Sequence, residues 1–288
     1  MANLKHIRTR IASIKNIQQV TKAMKMVAAA KLRRSQSNME QARPYARRIN
    51  GVLKNLLPNI DRSLHPLLAV RGFKKTGFVI FTSDKGQCGS FNTNVIKFAE
   101  KAIHEVGKEN AELICIGKKG RDYFTKRDYE VVESHTEFWN ELNFGHAVEF
   151  TASITRRYLV GEYDQIVVIF NEFKNVASQR LVKFNYLPLV VEEDEEVDTT
   201  EYLFEPSKEA VVHSLVPRHL TVQMWRFLLE SWAANMAAQM TAMDNATTNA
   251  GELIGRLELE YNKARQAAIT NEILEIVSGA EALMESSK

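Results

Sequence analysis

The 288-residue chain predicts an α/β architecture in which a doubly wound, Rossmann-like domain is inserted between N- and C-terminal helices that pair as a long antiparallel coiled coil. Three observations predict it. From Arg218 to the end, about seventy residues pass without a proline and most of them carry an apolar seam of seven-residue period. A second seam opens the chain at Leu4. Between the two, short apolar runs alternate with helical patterns, as in a mostly parallel sheet. The expected organisation is residues 1–58 as the N-terminal coiled-coil helix, 76–190 as the α/β domain and 207–288 as the C-terminal coiled-coil helix, the first and last forming one discontinuous helical domain.

In the first helix Leu4, Ile7, Ile11 and Ile14 step by three and four. Ile17, Val20, Met24 and Val27 continue after a three-residue slip, a stammer that overwinds a coiled coil. The seam then re-phases through Leu32, Ser35, Met39, Ala42, Ala46, Ile49, Leu53 and Leu56. Pro44 is expected to kink or break the helix, Gly51 weakens it, and Pro58 ends it.

The inserted domain opens with the buried strand GFVIFTS (77–83), a glycine-containing turn and a helix from Asn94 to Val106. Strand AELICIG (111–117), a short helix around Lys118 to Lys126 and strand YEVVES (129–134) follow. A helix from His146 to Val160 leads to strand QIVVIF (165–170), and QRLVKFNYLPL (179–189) reads as a last, antiparallel strand. EEDEEVDTTE (192–201) reads as an acidic turn or linker.

The C-terminal seam is Val222, Trp225, Leu229, Trp232, Met236, Gln239, Met243, Ala246, Ala250, Leu253, Leu257, Glu260, Ala264, Ala267, Asn271 and Leu274. Seven or so heptads argue for a coiled coil, and a helix of roughly 75 residues is about 110 Å long at 1.5 Å per residue. Two seamed helices at opposite chain ends bury each other best as an antiparallel pair. The estimated register sets Ala28 opposite Ala238 and leaves the last 25 or so residues as a lone helix. Trp225 and Trp232 are expected to pack against the base of the globular domain.

Composition narrows the functional classes. Hydrophobic residues at 45% and charged residues at 25% suit a soluble protein, and no window approaches the length of a transmembrane helix. The start, MANLKHIRTRIASI, lacks the apolar h-region of a signal peptide and reads as mature cytosolic sequence. Cys88 and Cys115 are too far apart for a redox or zinc pair. Residues 1–48 hold twelve Lys or Arg against one acid, Glu40. Such a polycation fits an acidic protein partner, nucleic acid, an anionic surface or merely a solvated face. The absence of Phe, Trp and Tyr from residues 1–44 weighs against nucleic acid.

Candidate chemistry is sparse. SDKGQCGSFN (83–92) lies between strand and helix, where phosphates bind, but lacks the glycine order of a nucleotide loop and reads as a tight turn shaped by Gly86 and Gly89. GKKGRD (117–122) reads as a surface loop. No spaced Ser/His/Asp set occurs, and Asp84 has no convergent partner group. No cofactor is expected.

Four stretches resemble one family, the gamma subunits of F-type ATP synthases. RIASIKNIQQVTKAMKMVAAAKLRR (10–34) resembles its N-terminal helix, SDKGQCGSFN its first strand-turn, AMDNATTNAGELI (242–254) its long helix, and ITNEILEIVSGAEAL (269–283) its C-terminal signature. The resemblance implies a rotary shaft within a hexamer of three alpha and three beta subunits, footed on a membrane c-ring beside an epsilon subunit, with the catalytic sites on beta. It implies that Met24 and Lys25 pass the acidic lever loops of beta, and that Arg265 and Gln266, with Thr270 nearby, hydrogen-bond a catch loop of beta. Ile273, Leu274, Ile276 and Val277 would turn in the hexamer's apolar sleeve, while Tyr202 and Glu205 would meet the c-ring. It implies a peripheral place on the cytoplasmic side of a bacterial inner (plasma) membrane. Residues 190–206 hold no cysteine, so the thiol switch of chloroplast members is not expected. The rival readings are a non-motor coiled-coil scaffold whose α/β head binds an acidic partner, an enzyme using the α/β domain, and a nucleic-acid binder.

Overall fold

The computed structural model describes residues 4–56, 65–72, 74–190, 205 and 207–286, with side chains as far as Ala280. The chain divides into two compact units, Met1–Val27 with Ala242–Lys288, and Ala28–Thr241. Five strands and five α-helices occur among the described residues: α1 (Leu4–Leu56), β1 (Thr76–Phe81), α2 (Phe91–Val106), β2 (Ala111–Ile116), α3 (Lys118–Thr125), β3 (Val131–His135), α4 (Phe144–Val160), β4 (Gln165–Phe173), β5 (Gln179–Leu187) and α5 (Lys208–Ser286).

In the larger unit the sheet order is β3-β2-β1-β4-β5. The first four strands are parallel and β5 runs antiparallel to β4. β1 and β2 are buried at every position, which is why they read as continuous apolar runs rather than as alternation. Alternate residues of the central strands serve opposite faces. Phe78, Ile80, Leu113, Cys115 and Ile169 pack with α2 and Phe124, whereas Val79, Phe81, Ile114, Ile116 and Phe170 pack with α4, the start of α5 and the end of α1. Burial of Phe150, Ile154 and Tyr158 fixes the inward face of α4, and an Asn143 capping box starts that helix. Helices on both faces of a mainly parallel sheet make the domain doubly wound, as expected.

The two long helices correct three details. α1 continues through Pro44. Met39 and Ala46 pack on either side of it, together with Ile49, and this tertiary packing outweighs the lost backbone hydrogen bond. The slip after Ile14 is absent: one three-four rhythm of buried and half-buried positions runs through Leu4, Ile7, Ile11, Ile14, Gln18, Thr21, Lys25, Ala28, Leu32 and Ser35, with Met24, Ala29 and Lys31 half-buried on its flanks. The rhythm passes through polar residues, while Ile17, Val20 and Val27 are exposed. In the distal part of α5 a three-four rhythm of buried and half-buried positions runs through Met243, Thr247, Ala250, Ile254, Leu257, Tyr261, Ala264 and Ala268, with Ala242, Ala246, Gly251 and Leu253 half-buried beside it. Ile254 is thus more deeply buried than the half-buried Leu253, and Tyr261 takes the inner position expected of Glu260, which leaves the Glu260 carboxylate in water.

The smaller unit pairs its helix segments antiparallel. Lys25 Nζ lies 2.6 Å from Asp244 Oδ1 and Lys15 Nζ 2.9 Å from Glu258 Oε1. Within the larger unit Leu32 packs with Ala233, Met236 and Ala237, and the Ser35 hydroxyl donates to the Leu229 carbonyl at 3.1 Å. Ala28, Ala233, Ala234 and Ala237 are all buried, as small residues are where two backbones approach closely.

Candidate functional site

The loop after β1 lies where a ligand's phosphate could sit, and its polar groups are engaged with one another. Ser83 N–H donates to Asn92 Oδ1 at 2.9 Å, and Asn92 Nδ2 donates to Ser83 Oγ at 2.8 Å and to the Cys88 sulfur at 3.2 Å. Asp84 accepts from Lys118 N–H at the start of α3 and from Glu137 N–H, each at 2.8 Å. Its carboxylate therefore occupies the helix N-terminus that a phosphate would need. Cys88 and Phe91 pack against Ala234. SDKGQCGSFN is thus a staple that fixes the α/β domain to α5. Burial raises the Cys88 thiol above its ordinary range and pushes Cys115 up to about 12.

GKKGRD is structural for a related reason. Gly117 has φ +108°, and a Cβ there would stand 2.1 Å from the Thr82 carbonyl oxygen. Gly120 N–H donates to Thr82 Oγ1 at 2.9 Å, so both glycines let α3 close onto the end of β1. Trp225 meets Phe144 edge-on at 5.9 Å, and Trp232 stacks on Trp139 at 5.4 Å. Both tryptophans pack on the α/β domain, as expected. No cluster of three or more His, Cys, Asp or Glu fit to hold a metal occurs among the described residues.

Most of the remaining candidates are helix positions. Met24 and Lys25 are half-buried, and Lys25 is paired with Asp244 of its own chain. Arg265, Gln266 and Thr270 are exposed on α5, where the Thr270 hydroxyl donates back to the Gln266 carbonyl at 3.0 Å. Ile273, Leu274, Ile276 and Val277 are exposed, and Ile269 joins them. From Ile269 through Ala280 every α5 residue is exposed. Glu205 is exposed, and Tyr202 lies outside the described residues. Sequence reasoning missed Ile17, Val20 and Val27, which it assigned to the seam. The unbroken three-four rhythm through Gln18 and Thr21 was the signal that would have placed them outside.

Comparisons with known proteins agree along the whole chain. A profile of the ATP synthase family matches residues 3–283. The ATP synthase gamma chain of Chloroherpeton thalassium is 48% identical over 304 aligned positions that cover all of both chains. That of Chlorobaculum parvum is 49% identical, covering 99% of this chain and all of the relative. Among solved structures, a chain of the Euglena gracilis mitochondrial ATP synthase with its F1 and c-ring superposes with TM-score 0.73 at 23% identity, covering 99% of this chain and 96% of that one. A chain of the Tetrahymena thermophila mitochondrial ATP synthase central stalk and c-ring gives TM-score 0.61 at 25% identity, covering 79% and 99%.

Proposed function

The chain belongs to the ATP synthase gamma chain family, and from that premise we propose that it is the central rotary shaft of an F1Fo ATP synthase. Its partners are three alpha and three beta subunits, the epsilon subunit and the membrane c-ring. It couples ion-driven turning of the ring to the conformational cycle of the beta subunits. The chain is a non-catalytic subunit of the ATPase complex and holds no cofactor. It sits peripherally on the cytoplasmic side of the inner (plasma) membrane; no described helix is long and apolar enough to cross a membrane.

The observation that carries this reading is the end of α5. Ile269, Ile273, Leu274, Ile276 and Val277 are exposed there. A contiguous apolar surface of this kind belongs in an interface, and an apolar sleeve supplies one. The mechanism follows from asymmetry. A shaft that contacts one conformation of a beta subunit better than another shifts that subunit's equilibrium by the difference, and turning the shaft hands the bias from one beta subunit to the next. Arg265 and Gln266, with Thr270 beside them, are the polar contacts to a beta loop. Met24 and Lys25 face a second, acidic loop, for which Asp244 is an intrachain competitor. Tyr202 and Glu205 meet the c-ring.

Replacing Arg265 and Gln266 together by alanine tests this reading. In the assembled complex ATPase turnover is expected to fall at least about tenfold, the loss of about 1.4 kcal/mol of coupling, while nucleotide affinity of isolated beta subunits stays unchanged. Unaltered turnover removes both residues from the mechanism.

A further inference from the structure

Between Ile17 and Val27 α1 offers two competing faces, and the fold buries the more polar one, Gln18, Thr21 and Lys25, in phase with the apolar inner positions Leu4, Ile7, Ile11 and Ile14. Ile17, Val20 and Val27 are 51%, 58% and 55% exposed, whereas Thr21 is 9% exposed. Burial of branched apolar side chains is the ordinary driving force of a coiled coil. The apolar inner positions before Ile17 favour this phase, and where the inner face turns polar a specific contact holds it.

That contact is a pair of threonines. Thr21 Oγ1 lies 2.8 Å from Thr247 Oγ1. Thr21 Oγ1 is also 3.0 Å from the Gln18 carbonyl oxygen, and Thr247 Oγ1 is 2.7 Å from that of Met243. Two hydroxyl protons suffice for this row in either sense. Thr21 can donate to Thr247 while Thr247 donates to Met243, or Thr247 can donate to Thr21 while Thr21 donates to Gln18. Gln18 Nε2 reaches the Thr247 carbonyl at 3.4 Å. Gly251 leaves room for it, since a Cβ there would stand 3.0 Å from that nitrogen.

We propose that the Thr21–Thr247 pair is a rotational latch, which sets the phase of α1 about its own axis and keeps Ile17, Val20 and Val27 on its outer face. Successive helix residues are separated by about 100°, so a rotation of that size exchanges the two faces. A polar pair in an apolar seam is an established way to reject alternative packings at some cost in stability. The threonines are positioning residues: they act through the orientation of α1 and decide which side chains a partner meets. The latch does not depend on the shaft reading; under that reading, the face it holds outward is the one presented to the neighbouring subunits.

The test uses the full-length chain with Val27→Cys as reporter, since Cys88 and Cys115 are both buried. Thiol labelling at position 27 is expected to be fast in the otherwise native chain and equally fast with Thr21→Ser and Thr247→Ser, which keep the hydroxyls. With Thr21→Ala and Thr247→Ala, labelling is expected to slow about tenfold, as the side chain turns inward. Unchanged labelling in a helical alanine pair, or slowed labelling in the serine pair, overturns the latch. Should the alanine pair unfold, Thr21→Val with Thr247→Val, which keep the branched shape without the hydroxyls, take its place in the same labelling test, and unchanged labelling there overturns the latch.

Discussion

Burial holds the Glu230 carboxyl up at about 7, against an ordinary value of 4.5. Glu172 adds repulsion, whereas Arg226, Lys174 and Arg43 oppose the shift. Oε1 lies 3.2 Å from Arg226 Nε, Oε2 has no hydrogen-bond partner, and the side chain lines a cavity of about 80 Å³ with Met39, Ala42 and Leu229. Below pH 4.5 the proton is held in both folded and unfolded states. Between 4.5 and 7 only the folded chain keeps it, so this contribution to stability is lost as pH rises and stays lost above 7. Burial of His219, whose pKa is lowered to about 4, gives a trend of the opposite sign, so the informative quantity is wild type minus variant. We predict that Glu230→Gln is more stable than wild type by about 2 kcal/mol at pH 8, and that the advantage vanishes toward pH 4.5. Urea denaturation across that range measures it, and a difference independent of pH contradicts it. Gly117→Ala is the second residue-scale prediction. Its φ of +108° and the 2.1 Å approach to the Thr82 carbonyl imply a loss of roughly 3 kcal/mol or more, read as a lower urea midpoint.

α5 is a single helix whose surroundings change along its length. From Phe227 to Ala237 nearly every residue is buried, whereas from Ile269 to Ala280 none is. In the isolated chain, amides of 269–280 are therefore expected to exchange with deuterium at least a hundredfold faster than those of 227–237, and to become protected in the assembled complex. Equal protection in the isolated chain would contradict this. The five strands were legible in the sequence to within a few residues, because their apolar runs are short, punctuated by glycine and alternating with helical periods. The rotational phase of α1 was not. There the three-four rhythm passes through Gln18 and Thr21, and hydrophobicity alone followed Ile17 and Val20 to the wrong face. Pro44 misled for a different reason, because its cost is local and the packing that offsets it comes from residues distant in sequence. The exposed positions of α5, including Arg265, Gln266 and Ile273, were named by resemblance, since an exposed helix surface carries no periodicity that identifies its partner.

For the whole molecule, the central claim is that this chain turns inside a ring of catalytic subunits and that their turnover depends on its turning. Assembly gives a preliminary check. Complexes captured through this chain are expected to contain three alpha and three beta subunits per copy, and recovery as a free homodimer would instead favour a passive scaffold. The direct measurement is a reversible tether. With Gln266→Cys and a cysteine placed in the facing beta loop, a disulfide fixes the shaft to one beta subunit. Cys88 and Cys115 are buried and unpaired, which favours reaction at the introduced pair. The account predicts that oxidation abolishes steady-state ATP hydrolysis while leaving nucleotide binding intact, and that reduction restores the turnover of the untethered cysteine variant. Full turnover in a complex shown to be completely tethered would contradict a rotating shaft.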